Sequence, residues 1–315
     1  MNWKNNFPKE NRYFETSNGI LYCADVFDLL TKFPKESIDL VLTDPPYGIN
    51  KTKWDHFKSR NMYVKFILNC FKQIEKIMKI NATFYWFHLD MEVVSEIMVK
   101  LKQETKLKFI QFIVWNKRFE GCKNKDYLDG FLKVSNLNTF PTMAEYILKY
   151  RIDLGKILKE RREKLGISQF TISKELKSKT GGITGWYSNI ETNKYLPNRK
   201  TIKPIEKYLG FKLEDLLPIF NNQKTHHSVW NYDFDNKKIG HITPKPESLI
   251  ENILIHSSRK KDLVLDCFVG SGTTCVVAEK LNRRWIGIEI NPDYCEIAKQ
   301  RIVEFLKQPK RKTLL

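Results

Sequence analysis

The sequence predicts an α/β protein whose doubly wound, mostly parallel sheet is interrupted by a small all-α insertion. Three observations support this prediction. Short apolar strands alternate with helices, a glycine-bearing turn joins one strand to one helix, and the α/β pattern stops at about residue 151 and returns after about 223. Alternation of this kind favours a parallel sheet with helices on both faces. We therefore predict one α/β domain formed by 1–150 and 223–315, and an inserted helical domain formed by 151–222.

The predicted elements follow from apolar periodicity and from breaker residues. Before the insertion we predict strands at 20–25, 38–44, 82–88, 109–115 and 143–150, and helices at 26–33, 62–80 and 91–101. After the insertion we predict helices at 246–256, 273–281 and 292–307, and strands at 263–268 and 285–289. The strand at 38–44 stops at Asp44 because the two prolines that follow it cannot occupy a central strand.

The composition and net charge of the chain indicate which class of partner it binds. The 315 residues include 54 Lys and Arg against 36 Asp and Glu, a formal net charge of +18. Such an excess favours a polyanionic partner such as nucleic acid, with improved solubility as the alternative. The excess is enriched in 151–222, which holds 15 basic and 8 acidic residues.

The sequence contains no recognisable signal for a membrane span, for secretion or for a cysteine-based metal site. No apolar run approaches the roughly 20 residues of a membrane span, and the first twenty residues are polar. The six cysteines form no CxxC pair, which argues against a zinc site and against a disulfide framework. We therefore expect a cytoplasmic protein with no membrane partner and no metal.

The segment Asp266–Thr274 follows a predicted strand and opens a helix, which is where a doubly wound sheet binds its ligand. Glu289 ends the next strand, 17 residues after Gly272, and a carboxylate there can accept both hydroxyls of a ribose. The turn lacks the Walker lysine and the full GxGxxG spacing, which favours an adenosine-type cofactor without a pyrophosphate. The structural alternative is an ordinary strand–turn–helix.

The tetrapeptide Asp44-Pro45-Pro46-Tyr47 suits a planar ring that carries an exocyclic amine. Asp44 and the Pro45 carbonyl can accept the two amine hydrogens, and Tyr47 can stack on the ring. Bonding both hydrogens localises the nitrogen lone pair, so the amine can attack a methyl group on a sulfonium. The structural alternative is a strand end with a rigid turn.

Together these motifs resemble the DNA amino-methyltransferases that use S-adenosylmethionine (SAM). The resemblance implies that Asp44–Tyr47 is the catalytic tetrapeptide, and that the segment His241–Pro246, which precedes the cofactor loop, contacts the methionine part of SAM. It implies cofactor contacts from Asp25, Asp44, Lys245, Asp266, Phe268, Gly270, Ser271, Gly272, Thr273, Thr274 and Glu289. No metal is implied, since a sulfonium is already a good leaving group.

The order of the motifs resembles the permuted beta group of that family. The tetrapeptide comes first, the insertion follows, and the cofactor loop comes last. The implied fold is a circularly permuted, Rossmann-like methyltransferase fold. In such a fold the helix at 292–307 leads back to the strand at 20–25, so the two ends of the chain lie close together.

The insertion resembles a Cro/C1-type helix-turn-helix domain, with Thr184–Thr192 as the recognition helix. The resemblance implies DNA contacts from Gln169, Thr184, Gly185, Tyr187, Ser188, Asn193 and Lys194. Two features depart from the family: four extra residues at 178–181, and Pro204, which requires the next helix to start late or to kink. The basic, aromatic segment Lys117–Phe140 is a second candidate for reading DNA, and a purely structural insertion is the alternative.

The predicted function is a site-specific DNA methyltransferase that transfers a methyl group from SAM to adenine N6 in double-stranded DNA, after base flipping. The tetrapeptide aspartate is commoner among adenine-N6 members and serine among cytosine-N4 members, so N4-cytosine stays open. Alternatives from other classes are an RNA-base methyltransferase and an inactive DNA-binding regulator. The partner is duplex DNA. A restriction endonuclease acting on the same site, without a stable complex, and a monomeric or homodimeric state both remain open.

Overall fold

The computed structural model describes residues 2–48, 56–124, 128, 143–178, 181–220, 227–234 and 244–308. The strands of this part are β1 Arg12–Glu15, β2 Gly19–Cys23, β3 Ile38–Thr43, β4 Met78–His88, β5 Leu107–Asn116, β6 Ala144–Ile152, β7 Val229–Asn231, β8 Leu263–Asp266 and β9 Arg284–Glu289. The helices are α1 Val26–Leu30, α2 Arg60–Ile77, α3 Met91–Glu104, α4 Leu154–Lys164, α5 Gln169–Ser173, α6 Trp186–Glu191, α7 Ile202–Leu209, α8 Leu213–Leu216, α9 Glu247–Ser257, α10 Thr273–Lys280 and α11 Pro292–Lys307.

The nine described strands form one sheet in the order β1-β2-β9-β8-β3-β4-β6-β5-β7. The central strands β2, β9, β8, β3 and β4 are parallel, and β6 is antiparallel to both of its neighbours. The predicted α/β class with a mostly parallel sheet is therefore confirmed. We call the edge at which the five parallel strands end the C-terminal edge, and the opposite one the N-terminal edge. Because β6 is antiparallel, it starts at the C-terminal edge and ends at the N-terminal edge.

Alternating side chains of the central strands fill two apolar cores, one on each face of the sheet. Along β4, Phe84 and Trp86 lie in one core, whereas Tyr85 and Phe87 lie in the other. This is the period-two pattern of a strand that is buried on both faces.

Some predicted boundaries were wrong. The helix predicted to reach Ile80 ends at Ile77, because Met78 pairs with Ile38 of β3 and starts a strand. The edge strands β1 and β7 were not predicted. Both are short, and neither contains a buried residue.

The first and last parts of the chain meet in the sheet, as the permuted order predicts. β2 is parallel to β9, with Leu21 opposite Gly287. Beside this pair, the Tyr13 hydroxyl donates to Glu296 of α11 at 2.6 Å. The residues that precede the tetrapeptide therefore complete the sheet next to the residues that follow the glycine turn.

Helices α4–α8 enclose a separate small core, and we call residues 154–216 the helical unit. Leu158, Ile172, Tyr187 and Ile205 are completely buried in this core. Pro204 lies in the first turn of α7, where its missing N–H is not needed, so the helix begins only two residues before it. No helix in the described part of the chain has the length and apolarity that a membrane crossing requires.

Candidate active site

The two sequence motifs meet at the C-terminal edge, where β3 and β8 lie side by side. The Thr43 hydroxyl donates to Asp266 Oδ1 at 3.0 Å, across 223 positions of sequence. The backbone N–H of Phe268 donates to the same oxygen at 3.1 Å. The strand that ends at Asp44 is therefore fastened to the strand that ends in the glycine turn.

Asp266 is 4% exposed, and burial raises the pKa of its carboxyl to about 6, against the hydrogen bonds that favour the charged form. Between the ordinary value of 3.8 and about 6, the folded protein binds more protons than the unfolded chain. The contribution of Asp266 to stability therefore falls as pH rises through this window, and the full penalty is present above it.

We expect Asp266→Asn to stabilise the fold relative to wild type at pH 8 and to lose this advantage at pH 4. A shift of two pKa units corresponds to about 3 kcal/mol, which is an upper bound because an amide accepts fewer hydrogen bonds than a carboxylate. Urea unfolding at a series of pH values measures the difference. A difference that stays constant with pH would show that the charge of Asp266 is not its source.

The glycine turn is shaped by close packing as well as by backbone conformation. Gly270 and Gly272 have φ values of 51° and 83°, in the left-handed region that favours glycine. A Cβ on Gly272 would lie 2.8 Å from the Cβ of Ala298 in α11. The hydroxyls of Ser271 and Thr273 both accept from Arg301 at 3.0 Å, which holds the turn against α11. Contact of these two residues with a cofactor stays a prediction.

Glu289 ends β9 beside this turn and is 9% exposed. Its Oε2 accepts the backbone N–H of Gly270 at 2.8 Å, and its Oε1 accepts that of Asn291 at 3.0 Å. Each carboxylate oxygen has two lone pairs, so each can accept a second donor. Asp25 lies at the end of the adjacent strand, where its Oδ1 caps α1 by accepting from Phe27 at 2.8 Å. Thr274 is buried against Asp266.

Asp44 belongs to a partly buried charge cluster that also contains Tyr47, Glu145, Lys245 and Lys117. Asp44 accepts from the ammonium of Lys245 and, at 2.8 Å, from the Tyr47 hydroxyl. The same hydroxyl lies 3.1 Å from Glu145, and because it has one proton it can donate to only one carboxylate at a time. Lys245 also lies 3.4 Å from Glu145, whose other oxygen binds Lys117. Two carboxylates and two ammonium groups therefore balance in charge.

The pKa values of the two carboxyl groups in this cluster, Asp44 and Glu145, are shifted in opposite directions. Burial raises the pKa of Asp44, and the negative charge of Glu145 adds to it, whereas Lys245 lowers it. Burial would also raise the pKa of Glu145, but Lys245 and Lys117 outweigh it and lower the pKa to about 2. Glu145 thus stays ionised, and Asp44 is the group whose charge responds to its partners.

A second hydrogen-bond chain fixes the loop after the prolines. The Tyr63 hydroxyl donates to the Pro46 carbonyl at 2.8 Å and lies 2.9 Å from Nε2 of the buried His88. His88 Nδ1 lies 3.0 Å from the backbone nitrogen of Asp90 and 3.2 Å from its carbonyl oxygen. The Tyr47 and His88 rings lie 4.9 Å apart.

Four polar residues of the site were not predicted from the sequence: Tyr63, His88, Lys117 and Glu145. Glu145 and His88 occupy ends of apolar strand patterns, and a polar residue at such a position was the available signal. Tyr63 carried no signal, and Lys117 was predicted only as the start of a segment that reads DNA, because only the fold brings these two residues to the tetrapeptide.

The residues predicted to bind DNA in the insertion are not brought to this site. The set Gln169, Thr184, Gly185, Tyr187, Ser188, Asn193 and Lys194 lies in the helical unit. The prediction for Tyr187 is wrong, because its ring is completely buried in the core of that unit. Asn193 is half-buried and binds Asp153 at 2.7 Å and Gly155 at 3.2 Å, and its contact with DNA stays a prediction.

The other residues predicted to bind DNA are either hydrogen-bonded within the helical unit or at least partly exposed to solvent. Gln169 donates its amide to Glu191. Thr184, Gly185 and Lys194 are exposed, and Ser188 is half-buried. Of the segments predicted to contact SAM or DNA, 241–243, 125–127 and 129–140 lie outside the described residues.

Comparison with known proteins shows to which family the chain belongs. A family model described as DNA methylase, the N6/N4 methyltransferase family, matches residues 38–300. The chain belongs to this family. It is a DNA methyltransferase, and its cofactor is SAM.

Similar proteins match over most of their length. The Type II methyltransferase M1.MboII of Moraxella bovis is 28% identical over 296 residues, covering 87% of this chain and 92% of that protein. M2.LlaDCHI of Lactococcus lactis subsp. cremoris is 27% identical, covering 92% and 91%. Among solved structures, the cytosine-N4-specific PvuII methyltransferase superposes with a TM-score of 0.61 at 18% identity, covering 94% and 90%, which supports the fold.

The residues of the methyltransferase cleft fit SAM. A buried carboxylate, Glu289, lies beside a glycine turn and suits a ribose diol. Asp44 follows Thr43, whose hydroxyl bonds to Asp266, so both carboxyl groups lie at the same edge of the sheet, and negative charge there suits a sulfonium cation. Phe268 lies 6.0 Å from Phe66 and adds an apolar wall.

Proposed function

We propose that this methyltransferase modifies adenine N6 at a specific sequence of duplex DNA. The observation that carries the proposal is Asp44, an acidic first residue of the tetrapeptide, held at the C-terminal edge next to the glycine turn. An ionised carboxylate is the strongest acceptor for an amine N–H.

In the proposed reaction Asp44 accepts one N–H of the target amine, and the Pro45 carbonyl accepts the other. SAM supplies an electrophilic methyl group on a sulfonium. The amine nitrogen would form its bond to that carbon as the carbon–sulfur bond breaks, a neutral thioether would leave, and the nitrogen would lose one proton. The main contribution of the protein's own residues is orientation and fixed charge. Asp25, Phe268, Gly270 and Glu289 hold the adenosine part.

The target base must leave the duplex to reach Asp44, so we propose base flipping into the pocket at Asp44–Tyr47. Tyr47 stacks on the flipped base. Its hydrogen bond to Asp44 fixes the orientation of the ring, and the bond from Tyr63 to Pro46 holds the loop rigid. These two contacts supply the pre-organisation that the chemistry needs.

We also propose that the helical unit is a helix-turn-helix domain that contacts DNA. Arg162 binds both carboxylate oxygens of Glu191, at 2.6 and 3.2 Å, and so joins α4 to α6. The backbone N–H of Ser178 donates to the Gly182 carbonyl at 2.8 Å within the connection between α5 and α6. Thr184, Gly185, Ser188 and Lys194 are the residues proposed to meet DNA.

The proposal is tested by mapping methylated bases in genomic DNA from cells that express the protein. We expect N6-methyladenine at one short sequence and none in cells that express Asp44→Asn. Methylation at cytosine N4 instead would overturn the adenine assignment and leave the mechanism intact. Because M1.MboII and M2.LlaDCHI are named Type II methyltransferases, a restriction endonuclease that cuts the mapped sequence is the partner we propose.

A further inference from the structure

The helical unit is attached to the edge of the sheet that lies opposite the active site. Asn81, near the start of β4, donates to the Glu214 carbonyl at 2.8 Å, and Lys106, just before β5, binds Glu160 at 2.5 Å. Lys156 donates to the Thr105 carbonyl at 3.2 Å. All of these sheet partners lie at the N-terminal edge.

The attachment fixes the orientation of α6 as well as that of α4. A Cβ on Gly155 would lie 2.0 Å from the backbone oxygen of Glu191, so α4 and the end of α6 are in direct contact. Asn193 follows α6 and bonds to Asp153 at the junction of β6 and α4. The unit is therefore docked on the sheet through several independent contacts.

The length of strand β6 gives the distance between the active site and the helical unit. Glu145, at its start, contacts the Asp44 cluster, and Ile152, at its end, leads into α4. Seven residue steps of a strand span about 24 Å. The base-flipping pocket and the helical unit thus lie on opposite edges, separated by the full height of the sheet.

The exposed charge of the unit is unbalanced. Four of its seven acidic residues take part in ion pairs, such as Glu175 with Lys207 and Glu191 with Arg162, and the other three, Glu206, Glu214 and Asp215, are exposed and form none within the described residues. The basic side chains Lys174, Lys177, Lys194, Arg199, Lys200 and Lys203 are exposed and form no ion pair within the described residues. A surface of this kind favours a polyanion such as DNA.

A single duplex would have to bend around the sheet to contact both the active site and the helical unit. The persistence length of DNA is about 150 base pairs, so a reversal of direction within a few tens of base pairs is costly. We propose that the helical unit binds a second segment of duplex DNA, separate from the segment that contains the methylated base. This inference rests on the proposed DNA binding by the unit, and it makes the methyltransferase a two-site DNA-binding protein.

The test uses the full chain and two DNA probes. The first is a duplex of about 12 base pairs centred on the mapped methylation site, which reaches only about 20 Å to either side of the target base. This duplex is fixed to beads and loaded with protein, and a library of longer random duplexes is then added. We expect the loaded beads to retain duplexes enriched in a sequence that differs from the methylation site.

The matched variants reverse two charges each. Lys200→Glu with Lys203→Glu alters the helical unit, whereas Lys9→Glu with Lys260→Glu alters two exposed lysines elsewhere. We expect the first variant to lose retention of the second duplex and to keep kcat/KM on the short duplex within about twofold, as the control does for both readouts. Thermal unfolding checks that each variant is folded.

Three outcomes would overturn the inference. A fall of about tenfold or more in kcat/KM on the short duplex would show that the unit reads the methylated segment, which leaves its DNA binding intact. No change in either readout would show that the unit does not bind DNA, so the proposed helix-turn-helix function would fail as well. Wild-type protein that retains no second duplex while methylating the first would reject the second site alone.

Discussion

Replacing Asp44 by asparagine is expected to lower kcat for methyl transfer by about 100- to 1,000-fold, the usual cost of removing one pre-organised charge from a reaction centre. The amide keeps the shape of the side chain, but it loses the negative charge that accepts the amine N–H. Its NH₂ group would also face two donors, Lys245 and Tyr47, that now bind a carboxylate.

Single-turnover kinetics with saturating SAM measure this loss, and equilibrium binding of SAM should change little. A suitable control is Asp28→Asn, the same change at an exposed position of α1. Activity close to wild type in Asp44→Asn would remove Asp44 from the mechanism. Loss of SAM binding together with activity would instead assign Asp44 to the cofactor site.

Replacing Lys245 by methionine is expected to impair both stability and activity. The change leaves Asp44 and Glu145 facing each other with one ammonium fewer. Removing one member of a buried ion pair costs about 3–5 kcal/mol, and the lower end applies here because the Asp44 side chain is 26% exposed. The matched control is Lys280→Met, which breaks an exposed pair with Glu251 and should cost less than about 1 kcal/mol.

The same variant should also change the pH dependence. Lys245 lowers the pKa of Asp44, so its removal raises that pKa further. Since Asp44 must be ionised to accept the amine hydrogen, the acid limb of kcat/KM is expected to move to higher pH. An acid limb that stays in place would show that a different group controls the profile.

Much of the fold was predictable because local patterns and tertiary structure agree in it. The helix at 292–307 was predicted with its observed bounds, since an asparagine cap and a first-turn proline mark its start. The strand at Ile38–Thr43 was predicted to within one residue, because the two prolines must end it. The α2–β4 boundary was misplaced, because pairing of Met78 with β3 overrides a helical pattern.

The residues of the active site also divide into those that the sequence predicted and those that only the fold revealed. The tetrapeptide and the glycine turn are each contiguous, and their chemistry is readable from a few adjacent residues. Glu145, Tyr63 and His88 come from separate elements, and only the folded chain brings them to Asp44 and Pro46. Ser271 and Thr273 belong to the contiguous cofactor motif, and only the fold shows that both hydroxyls accept a hydrogen bond from Arg301 of α11.

The sequence by itself determined the two motifs, their permuted order and the basic character of the insertion, because each depends only on which residues are near each other along the chain. The tertiary structure decided that Lys245 and Glu145 share the charge of Asp44, and that the helical unit lies at the opposite edge of the sheet. The physical reason is strand direction: β6 runs antiparallel to β4, so it begins at the active site and delivers the insertion about 24 Å away.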